Sequence, residues 1–261
     1  DRDTLFWFTT CGWMMWNWLV SGLASGATIV LYDGSPGYPD WGNLWRMADR
    51  TGITHFGTSP KFLVACSKSE LVPRDVADLS NFKSLLSTGA PLVPEQFDWV
   101  YKNVNPDIQL ASISGGTDII GCFLAGSPIL PVHRGELQCS QLGMDVQSWN
   151  TDGKPVFGES GELVCTRPFP SMPIGFWNDT DNSKYQVAYF EDFPGVWTHG
   201  DYVEMTSTGG AVIYGRSDTT LNPGGVRIGT AEIYRSVENM EQIVDAVVVG
   251  RPNQGDVDVV L

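Results

Sequence analysis

The chain has 261 residues, of which 42% are hydrophobic, and its formal net charge at pH 7 is −14. A chain of this length buries a sizeable core and has room for more than one domain. The acidic balance argues against nucleic acid as a partner, because binding to a phosphate backbone needs a clustered basic surface. An anionic ligand would be held locally instead, by a few arginines, backbone amides and a metal ion.

Both ends of the sequence read as cuts through a longer polypeptide. The first residue is Asp1 rather than Met, no signal peptide follows it, and Leu261 lies inside an apolar run. The cysteines are odd in number, lie far apart and form no C-x-x-C motif: Cys11, Cys66, Cys122, Cys139 and Cys165. We therefore expect free thiols in a reducing cytoplasm and no structural zinc site.

The first predicted elements lie between Trp13 and Tyr32, a stretch without a charged residue. A membrane helix has this length and can carry the G-x-x-x-G spacing of Gly22 and Gly26. The alternative is a buried helix, a glycine turn and a buried strand. Polar residues inside the stretch, such as Asn17, and the glycine break favour the alternative, so we expect no membrane insertion.

Helical and strand signals then alternate as far as residue 130. Predicted helices begin at Asp40, at Ser59 followed by Pro60, and at Pro94, because each start carries a capping residue or an early proline. Apolar runs at residues 53–56, 84–86 and 108–113 predict strands between them. Repeated strand–helix units indicate an α/β fold, a parallel sheet with flanking helices, and ligands bind such sheets at the carboxyl ends of the strands.

From about Pro131 the pattern changes to short alternating runs that Gly and Asp interrupt. This pattern predicts antiparallel strands and a small β-barrel. After Asp218 come a glycine-rich loop, a helix from about Thr230 to Met240 and a strand, which is typical of the start of a small α+β domain. The predicted domains are therefore residues 1–130, 131–217 and 218–261.

A glycine loop follows the predicted strand at residues 108–113. It reads Ser114-Gly115-Gly116-Thr117-Asp118. Glycines let the backbone turn sharply and bring its N–H groups close to a ligand. A hydroxyl and a carboxylate then follow, which suits an anion and a Mg²⁺ ion. The loop Gly89-Ala90-Pro91 leaves a neighbouring strand at the same end, so we expect the two loops to lie together.

Three segments in order resemble one superfamily. They are Gly116-Thr117-Asp118, then His199-Gly200-Asp201, then Gly215-Arg216-Ser217-Asp218 with the downstream Gly225-Val226-Arg227. This order is similar to the G-x-T-E/D, T-G-D and G-R-x-D elements of the acyl-adenylate-forming, or AMP-binding, superfamily. Longer strings, among them residues 12–18, 31–36 and 158–165, resemble the branch of that superfamily that activates acetoacetate.

The resemblance implies an ATP-dependent acyl-CoA ligase. The carboxylate of acetoacetate attacks the α-phosphorus of ATP, which releases pyrophosphate, and the thiol of coenzyme A then displaces AMP from the acyl-adenylate. Two alternatives stay open: a ligase for another short-chain acid such as butyrate or propionate, and a truncated, non-catalytic nucleotide-binding fragment.

The resemblance also implies roles for individual residues. Thr117 would bind the α-phosphate, Asp118 would reach Mg²⁺, and Arg227 would face the phosphate. Gly89, Ala90 and Pro91 would line the adenine, and Gly115 and Gly116 of the glycine loop would also belong to the nucleotide-binding site. Asp201 and Arg216 would hold the ribose, Asp218 would be a hinge, and Gly225 would flank the coenzyme A channel.

The resemblance implies an acyl pocket around Met14, Met15, Thr88 and Gly115, whereas Met14 and Met15 on their own would be core residues. Where Gly115 stands, the acetyl-CoA synthetases of the superfamily carry a tryptophan that closes the pocket. Glycine would leave space for an acid longer than acetate.

Taken singly, each of these residues has a plainer structural explanation. Asp201 alone would be a turn or cap residue, Arg216 a surface ion-pair partner and Gly225 part of a tight turn; the order of the three segments favours function. The superfamily's phosphate loop and its adenylation lysine do not occur among these residues. We therefore expect these 261 residues alone to form no acyl-adenylate at a useful rate.

Overall fold

The structure is a computed structural model that describes residues 2–217, 230–238, 240, 243, 246–253 and 256–260. The chain divides into two compact units, residues 1–141 and residues 142–261. The domain limits expected from the sequence stay predictions.

The first unit alternates strands and helices, as the sequence predicts. Its elements are β1 (Thr4–Trp7), α1 (Met14–Ser21), β2 (Thr28–Val30), α2 (Asn43–Thr51), β3 (His55–Thr58), α3 (Pro60–Lys68), α4 (Pro73–Val76), β4 (Ser84–Ser87), α5 (Pro94–Asn103), β5 (Gln109–Ser112), β6 (Ser114–Gly116), β7 (Gly121–Ala125) and β8 (Cys139–Ser140).

Strands β1 to β5 form one parallel sheet in the order β2-β1-β3-β4-β5. One row across the sheet aligns Phe6, Phe56, Leu85 and Leu110, all almost completely buried. The ring of Trp45 from α2 stacks on Phe56 at a centroid distance of 4.9 Å. The predicted α/β class is thus confirmed, and burial of this apolar face holds the helices on the sheet.

Local sequence signals set the ends of several helices. Ser59 caps α3, since its hydroxyl accepts a hydrogen bond from the N–H of Phe62 at 3.4 Å, and Pro60 occupies the first turn. The start predicted at Asp40 is wrong, because α2 begins at Asn43. Asp40 binds the N–H of Gly42 and the guanidinium of Arg46 instead, at 2.8 Å and 2.7 Å.

The uncharged stretch from Trp13 to Tyr32 is not one continuous helix. It consists of α1, a 3-10 turn at Gly22–Ser25 and the short strand β2. Gly26 links the turn to the strand with a left-handed φ of 79°. This confirms the order helix, glycine turn and strand, but the expected burial is wrong: only Met14 and Leu19 of α1 are buried, and none of the three residues of β2 is. Among the described residues, none of the helices has both the length and the apolar character needed to cross a membrane.

After β5 the chain leaves the parallel sheet and forms an antiparallel hairpin of β6 and β7, with β8 beside β7. The sequence pattern did not predict this hairpin, because β6 contains two glycines and lacks alternation. The hairpin carries the glycine loop, so that loop sits on a strand pair rather than on a simple strand-to-helix turn.

The second unit is built on antiparallel strands. Its elements are β9 (Val146–Trp149), β10 (Pro155–Val156), β11 (Ser160–Cys165), α6 (Ser183–Phe190), β12 (Trp197–Met205), β13 (Ala211–Arg216), α7 (Thr230–Glu238), β14 (Val249–Asn253) and β15 (Asp256–Val260). Five of the strands form a sheet in the order β10-β9-β11-β12-β13, which confirms the predicted antiparallel part.

Helix α6 was absent from the sequence prediction. It packs on β12 through aromatic rings, with Tyr189 stacked on Trp197 at 3.7 Å and Tyr185 and Phe190 contacting the same indole. These contacts place α6 beside the part of β12 that carries His199 to Asp201.

Candidate functional site

The two glycine-containing loops of the first unit meet at the carboxyl end of the parallel sheet. Gly89, Ala90 and Pro91 follow β4, and Ser114 to Asp118 follow the adjacent β5. The hydroxyl of Thr88 donates a 2.9 Å hydrogen bond to the carbonyl of Ile113, and the N–H of Ile113 bonds to Ser87 at the same distance. Two bonds therefore join the bases of the loops.

The first loop exposes its backbone. Gly89 has a left-handed φ of 94°, and a Cβ at this position would meet no other atom within 4 Å. Ala90 is also exposed, and Pro91 is half-buried. The backbone here is open to the close approach of a flat ligand, which is the geometry that the predicted adenine contact requires.

Thr117 and Asp118 form the tip of the β6–β7 hairpin. The N–H of Ile120 bonds to the carbonyl of Thr117 at 3.1 Å and closes a tight turn, in which Ile120 adopts a φ of 44°. Ile119 anchors the turn in the core at 1% exposure, whereas Thr117 and Asp118 are exposed. The turn thus presents a hydroxyl and a carboxylate side by side.

Gly115 has a steric reason to be glycine. A Cβ on Gly115 would overlap with the carbonyl oxygen of Gly121 and lie 2.6 Å from the Cα of Cys122, both on the paired strand β7. The missing side chain therefore faces backbone, and a larger residue needs a shift of the hairpin. The proposed acyl pocket at Gly115 stays a prediction, now with a second explanation for the glycine.

The other predicted acyl-pocket residues lie in or next to one apolar cluster. Met14 is 5% exposed and packs with Ile113 and Cys122, and Met15 packs against the same cluster. Thr88 is 9% exposed and touches this region through Ile113. Met14 and Met15 thus share one cluster with Ile113, which Thr88 binds, and with Cys122, which pairs with Gly115.

In the second unit, the segment from His199 to Asp201 is a bulge in β12. The register runs from Glu162 opposite Tyr202 to Val164 opposite Thr198, so residues 199–201 face Leu163 alone. Gly200 adopts a φ of 81°, and a Cβ there would overlap with the guanidinium of Arg216. Bulges of this kind redirect side chains and are frequent beside functional sites.

The bulge brings Asp201 against Arg216 on the neighbouring strand. The two residues are register partners, and the Nη1 of Arg216 lies 3.2 Å from Oδ1 of Asp201. The same Nη1 donates to the carbonyl of His199 at 2.9 Å. The side chain of Asp201 is 12% exposed and that of Arg216 is 50% exposed, so the pair has one sheltered and one open partner.

A third side chain, Glu162 on β11, binds the neighbours of Asp201 and Arg216, which are Gly200 and Ser217. Its Oε1 accepts the N–H of Gly200 at 2.9 Å and the hydroxyl of Ser217 at 3.0 Å. Burial raises the pKa of the Glu162 carboxyl, and these two hydrogen bonds act in the opposite direction. No role for Glu162 was predicted from the sequence, although the residue lies within the string at 158–165 that carries part of the resemblance.

A cavity of about 530 Å³ opens beside these residues in the second unit. Arg216, Glu162 and Gly200 line one side of it, and the end of α6 with Glu191 and Asp192 lines the other. A larger cavity of about 810 Å³ in the first unit lies among loops at the amino ends of β4 and β5. It is therefore remote from the carboxyl-end loops, where ligands of parallel sheets bind.

Three predicted residues, Asp218, Gly225 and Arg227, lie outside the described residues. Of the others, Asp201 and Arg216 belong to the second unit and the remainder to the first. The structure thus brings the predicted residues together in two groups, and a single nucleotide between the groups stays a prediction.

The donor set at the hairpin tip fits a Mg²⁺ ion. Mg²⁺ is usually held by one or two carboxylates together with substrate phosphates and water, and Asp118 is an exposed carboxylate beside the predicted phosphate-binding hydroxyl of Thr117. In the part of the chain that the structure describes, no three His, Cys, Asp or Glu side chains are grouped so as to hold a metal ion.

Comparison with known proteins places these observations in a family context. The model of the AMP-binding enzyme family matches residues 1–174. The acetoacetyl-coenzyme A synthetase of Rhizobium meliloti is 58% identical over 261 residues, which are 100% of this chain and 40% of that protein. The acetoacetyl-CoA synthetase of Gallus gallus is 51% identical over 255 residues, 97% of this chain and 38% of that protein.

A solved structure agrees with the fold. The acetoacetyl-CoA synthetase from Streptomyces lividans superposes with a TM-score of 0.89 at 51% identity, covering 96% of this chain and 39% of that one. The chain thus spans about two fifths of the length of the proteins that it matches.

Proposed function

The chain belongs to the AMP-binding enzyme family, and we propose that the protein of which it is part is an ATP-dependent ligase that converts acetoacetate and coenzyme A into acetoacetyl-CoA, AMP and pyrophosphate. The observation that carries this proposal is the 58% identity with the Rhizobium meliloti acetoacetyl-coenzyme A synthetase over the whole chain. Acetoacetate, ATP and coenzyme A are then its partners, and Mg²⁺ accompanies the ATP. We propose that the protein is located in the cytoplasm.

In the first half-reaction, a carboxylate oxygen of the acid attacks the α-phosphorus of ATP and pyrophosphate leaves. Negative charge develops on the phosphoryl oxygens, so catalysis rests on positioning and electrostatic stabilisation. The hydroxyl of Thr117 would donate to an α-phosphate oxygen, and Arg227 would face the phosphate. Asp118 would hold Mg²⁺, which supplies positive charge to the phosphates when bound.

The nucleoside would be held from two directions. The exposed backbone of Gly89 and Ala90 suits contact with the adenine ring, with Gly116 at the hairpin beside it. The carboxylate of Asp201 would accept hydrogen bonds from the ribose hydroxyls, and Arg216 would donate to the ribose. The ion pair between these two side chains supports this role, since it holds Asp201 in place before a ligand arrives.

In the second half-reaction, the thiol of coenzyme A attacks the acyl carbon and AMP leaves. Asp218 is proposed as the hinge between the two half-reactions, and Gly225 as a border of the coenzyme A channel.

The experiment that tests this function is isotope exchange between ATP and pyrophosphate in the full-length protein with acetoacetate, butyrate, propionate or acetate. We expect kcat/KM to be highest for acetoacetate. Faster exchange with butyrate or propionate would assign a different short-chain acid, and no exchange with any acid would contradict the ligase. Release of acetoacetyl-CoA after addition of coenzyme A tests the second step.

A further inference from the structure

Glu162 lies at the point where three segments distant in sequence meet. It is in the middle of β11, between β9 and β12, and its register partners are Trp149 and Tyr202. Its half-buried carboxylate reaches Gly200 and Ser217 through one oxygen, Oε1. A charge in such a place costs free energy unless hydrogen bonds compensate for it, and here the N–H of Gly200 and the hydroxyl of Ser217 both donate to that oxygen.

The first bond meets a need that the bulge creates. Residues 199–201 face a single residue of β11, so the regular ladder is interrupted at this point. Backbone N–H groups that lose a ladder partner must find another acceptor. For Gly200, the acceptor is Oε1 of Glu162 at 2.9 Å.

The second bond holds the neighbouring strand. Ser217 directly follows Arg216 at the end of β13, and its hydroxyl donates to the same oxygen at 3.0 Å. Glu162 therefore binds the residue before Asp201 and the residue after Arg216. Asp201 and Arg216 are register partners and share an ion pair. One carboxylate oxygen of Glu162 therefore holds the backbone next to both residues of the predicted ribose site.

We propose that Glu162 is a positioning residue that sets the geometry of the Asp201–Arg216 pair for the ribose hydroxyls through its bonds to Gly200 and Ser217. The proposal rests on the ribose role given to Asp201 and Arg216 in the proposed function. In this role Glu162 acts through Gly200 and Ser217 rather than through a contact of its own with the nucleotide. Its contribution is to keep the acceptor and the donor at a spacing that the bulge alone does not enforce.

The test measures the dissociation constants of ATP and of 2′,3′-dideoxy-ATP in the full-length protein. For Glu162→Ala, we expect about a tenfold weaker affinity for ATP, because two hydrogen bonds that order the site are lost. The penalty should shrink to less than twofold for the dideoxy nucleotide, which lacks the hydroxyls that the pair would bind. Glu162→Gln should retain most of the affinity, since its amide oxygen can accept both bonds, and Ser217→Ala should lie between Glu162→Gln and Glu162→Ala.

The matched control is Glu204→Ala. Glu204 is another half-buried carboxylate on the same sheet, and it accepts a 2.7 Å bond from the hydroxyl of Tyr214 on β13. This variant removes a comparable side chain away from the bulge, so its affinity for ATP should stay within twofold of the unmodified protein. A purely structural role for Glu162 predicts equal penalties for both nucleotides, and that result would overturn the proposal.

The Asp201→Ala variant separates this proposal from the one on which it rests. If Asp201→Ala loses ATP affinity and Glu162→Ala does not, the positioning role is wrong and the ribose site stands. If Asp201→Ala binds ATP like the unmodified protein, the ribose assignment is wrong, and the role of Glu162 fails with it.

Discussion

The two groups of predicted site residues are held in different ways. At the hairpin tip of the first unit, Thr117 and Asp118 are exposed. The backbone that carries them is fixed by the close packing of Gly115 against β7 and by the buried side chain of Ile119. In the second unit, Asp201 and Arg216 bond to each other, and Glu162 bonds to their neighbours.

This difference has a consequence for function. The ion pair already positions Asp201 and Arg216, so these side chains lose little conformational entropy when a ligand binds, whereas the exposed hydroxyl of Thr117 must be ordered by it. We therefore expect the second group to contribute mainly to nucleotide affinity. Thr117 should contribute mainly to the chemical step, once the phosphates have ordered its hydroxyl.

The largest effect is expected from a steric overlap between the two strands of the hairpin. Gly115→Ala in the full-length protein should lower the free energy of unfolding by about 3 kcal/mol, because the new Cβ overlaps with the backbone of β7. Urea denaturation measures this change. Gly89→Ala is the matched control, since its Cβ meets no atom and only the left-handed φ of 94° is unfavourable. It should cost about 1 kcal/mol, and equal losses for both variants would contradict the steric explanation.

A slightly smaller effect is expected from the sheltered carboxylate. Asp201→Ala should weaken ATP binding about 100-fold, because charge-assisted hydrogen bonds to the ribose are lost and Arg216 loses its carboxylate partner while keeping the bond to His199. Isothermal titration calorimetry measures the affinity. Asp152→Ala, at an exposed turn of the same unit, is the control and should leave the affinity unchanged. An Asp201 variant that binds ATP within twofold of the unmodified protein would remove the basis of the comparison.

In contrast to Asp201, the hydroxyl of Thr117 should affect the rate of the chemical step and not the affinity for ATP. Thr117→Val should reduce kcat of the ATP–pyrophosphate exchange about tenfold, the value of one hydrogen bond to a charged group. The dissociation constant for ATP and the melting temperature should stay nearly constant, since Thr117 is exposed and supports no packing. The exposed Thr151 supplies the control, Thr151→Val. A change in ATP affinity without a change in kcat would show that the hairpin group is a binding site after all.

The smallest effect on activity is expected from thiol modification. Burial raises the pKa of Cys66 and of Cys122 to about 12, and Cys11 is exposed. Thiolates are the reactive form, so a thiol reagent at pH 8 should label Cys11 within minutes and the two buried thiols only after unfolding. Exchange activity should change less than twofold, with Cys11→Ser as the control. Early labelling of Cys122, which lies on β7 of the hairpin and packs in the same apolar cluster as Met14, would indicate that the first unit opens readily.

Local signals in the sequence were sufficient for much of the first unit. Ser59 and Pro60 predict the start of α3, and short apolar runs predict β3, β4 and β5, because capping and hydrophobic burial depend on near neighbours in the chain. Asp40 shows the limit of such signals. Its carboxylate accepts a hydrogen bond from the N–H of Gly42, and α2 starts at Asn43, three residues after the start that the sequence predicts.

The hairpin, α6 and the role of Glu162 were not predictable in the same way. Strand β6 pairs through backbone groups while its glycines give no alternation, and α6 is stabilised by rings that contact Trp197. Glu162 depends on a bulge in a different strand and on Ser217, which is 55 residues away in sequence.

The amino-acid sequence by itself determined the alternation of strands and helices as far as β5, the α/β class followed by antiparallel strands, and the motifs that place the chain in its family. These depend on hydrophobic periodicity, capping residues and residue order, all of which are local. Only the tertiary structure decided that Gly115 faces the backbone of β7, that residues 199–201 form a bulge, and that Glu162 ties this bulge to Ser217. Such contacts arise from strand register, because a shift of one residue turns a side chain to the other face of the sheet, and no short stretch of sequence specifies it.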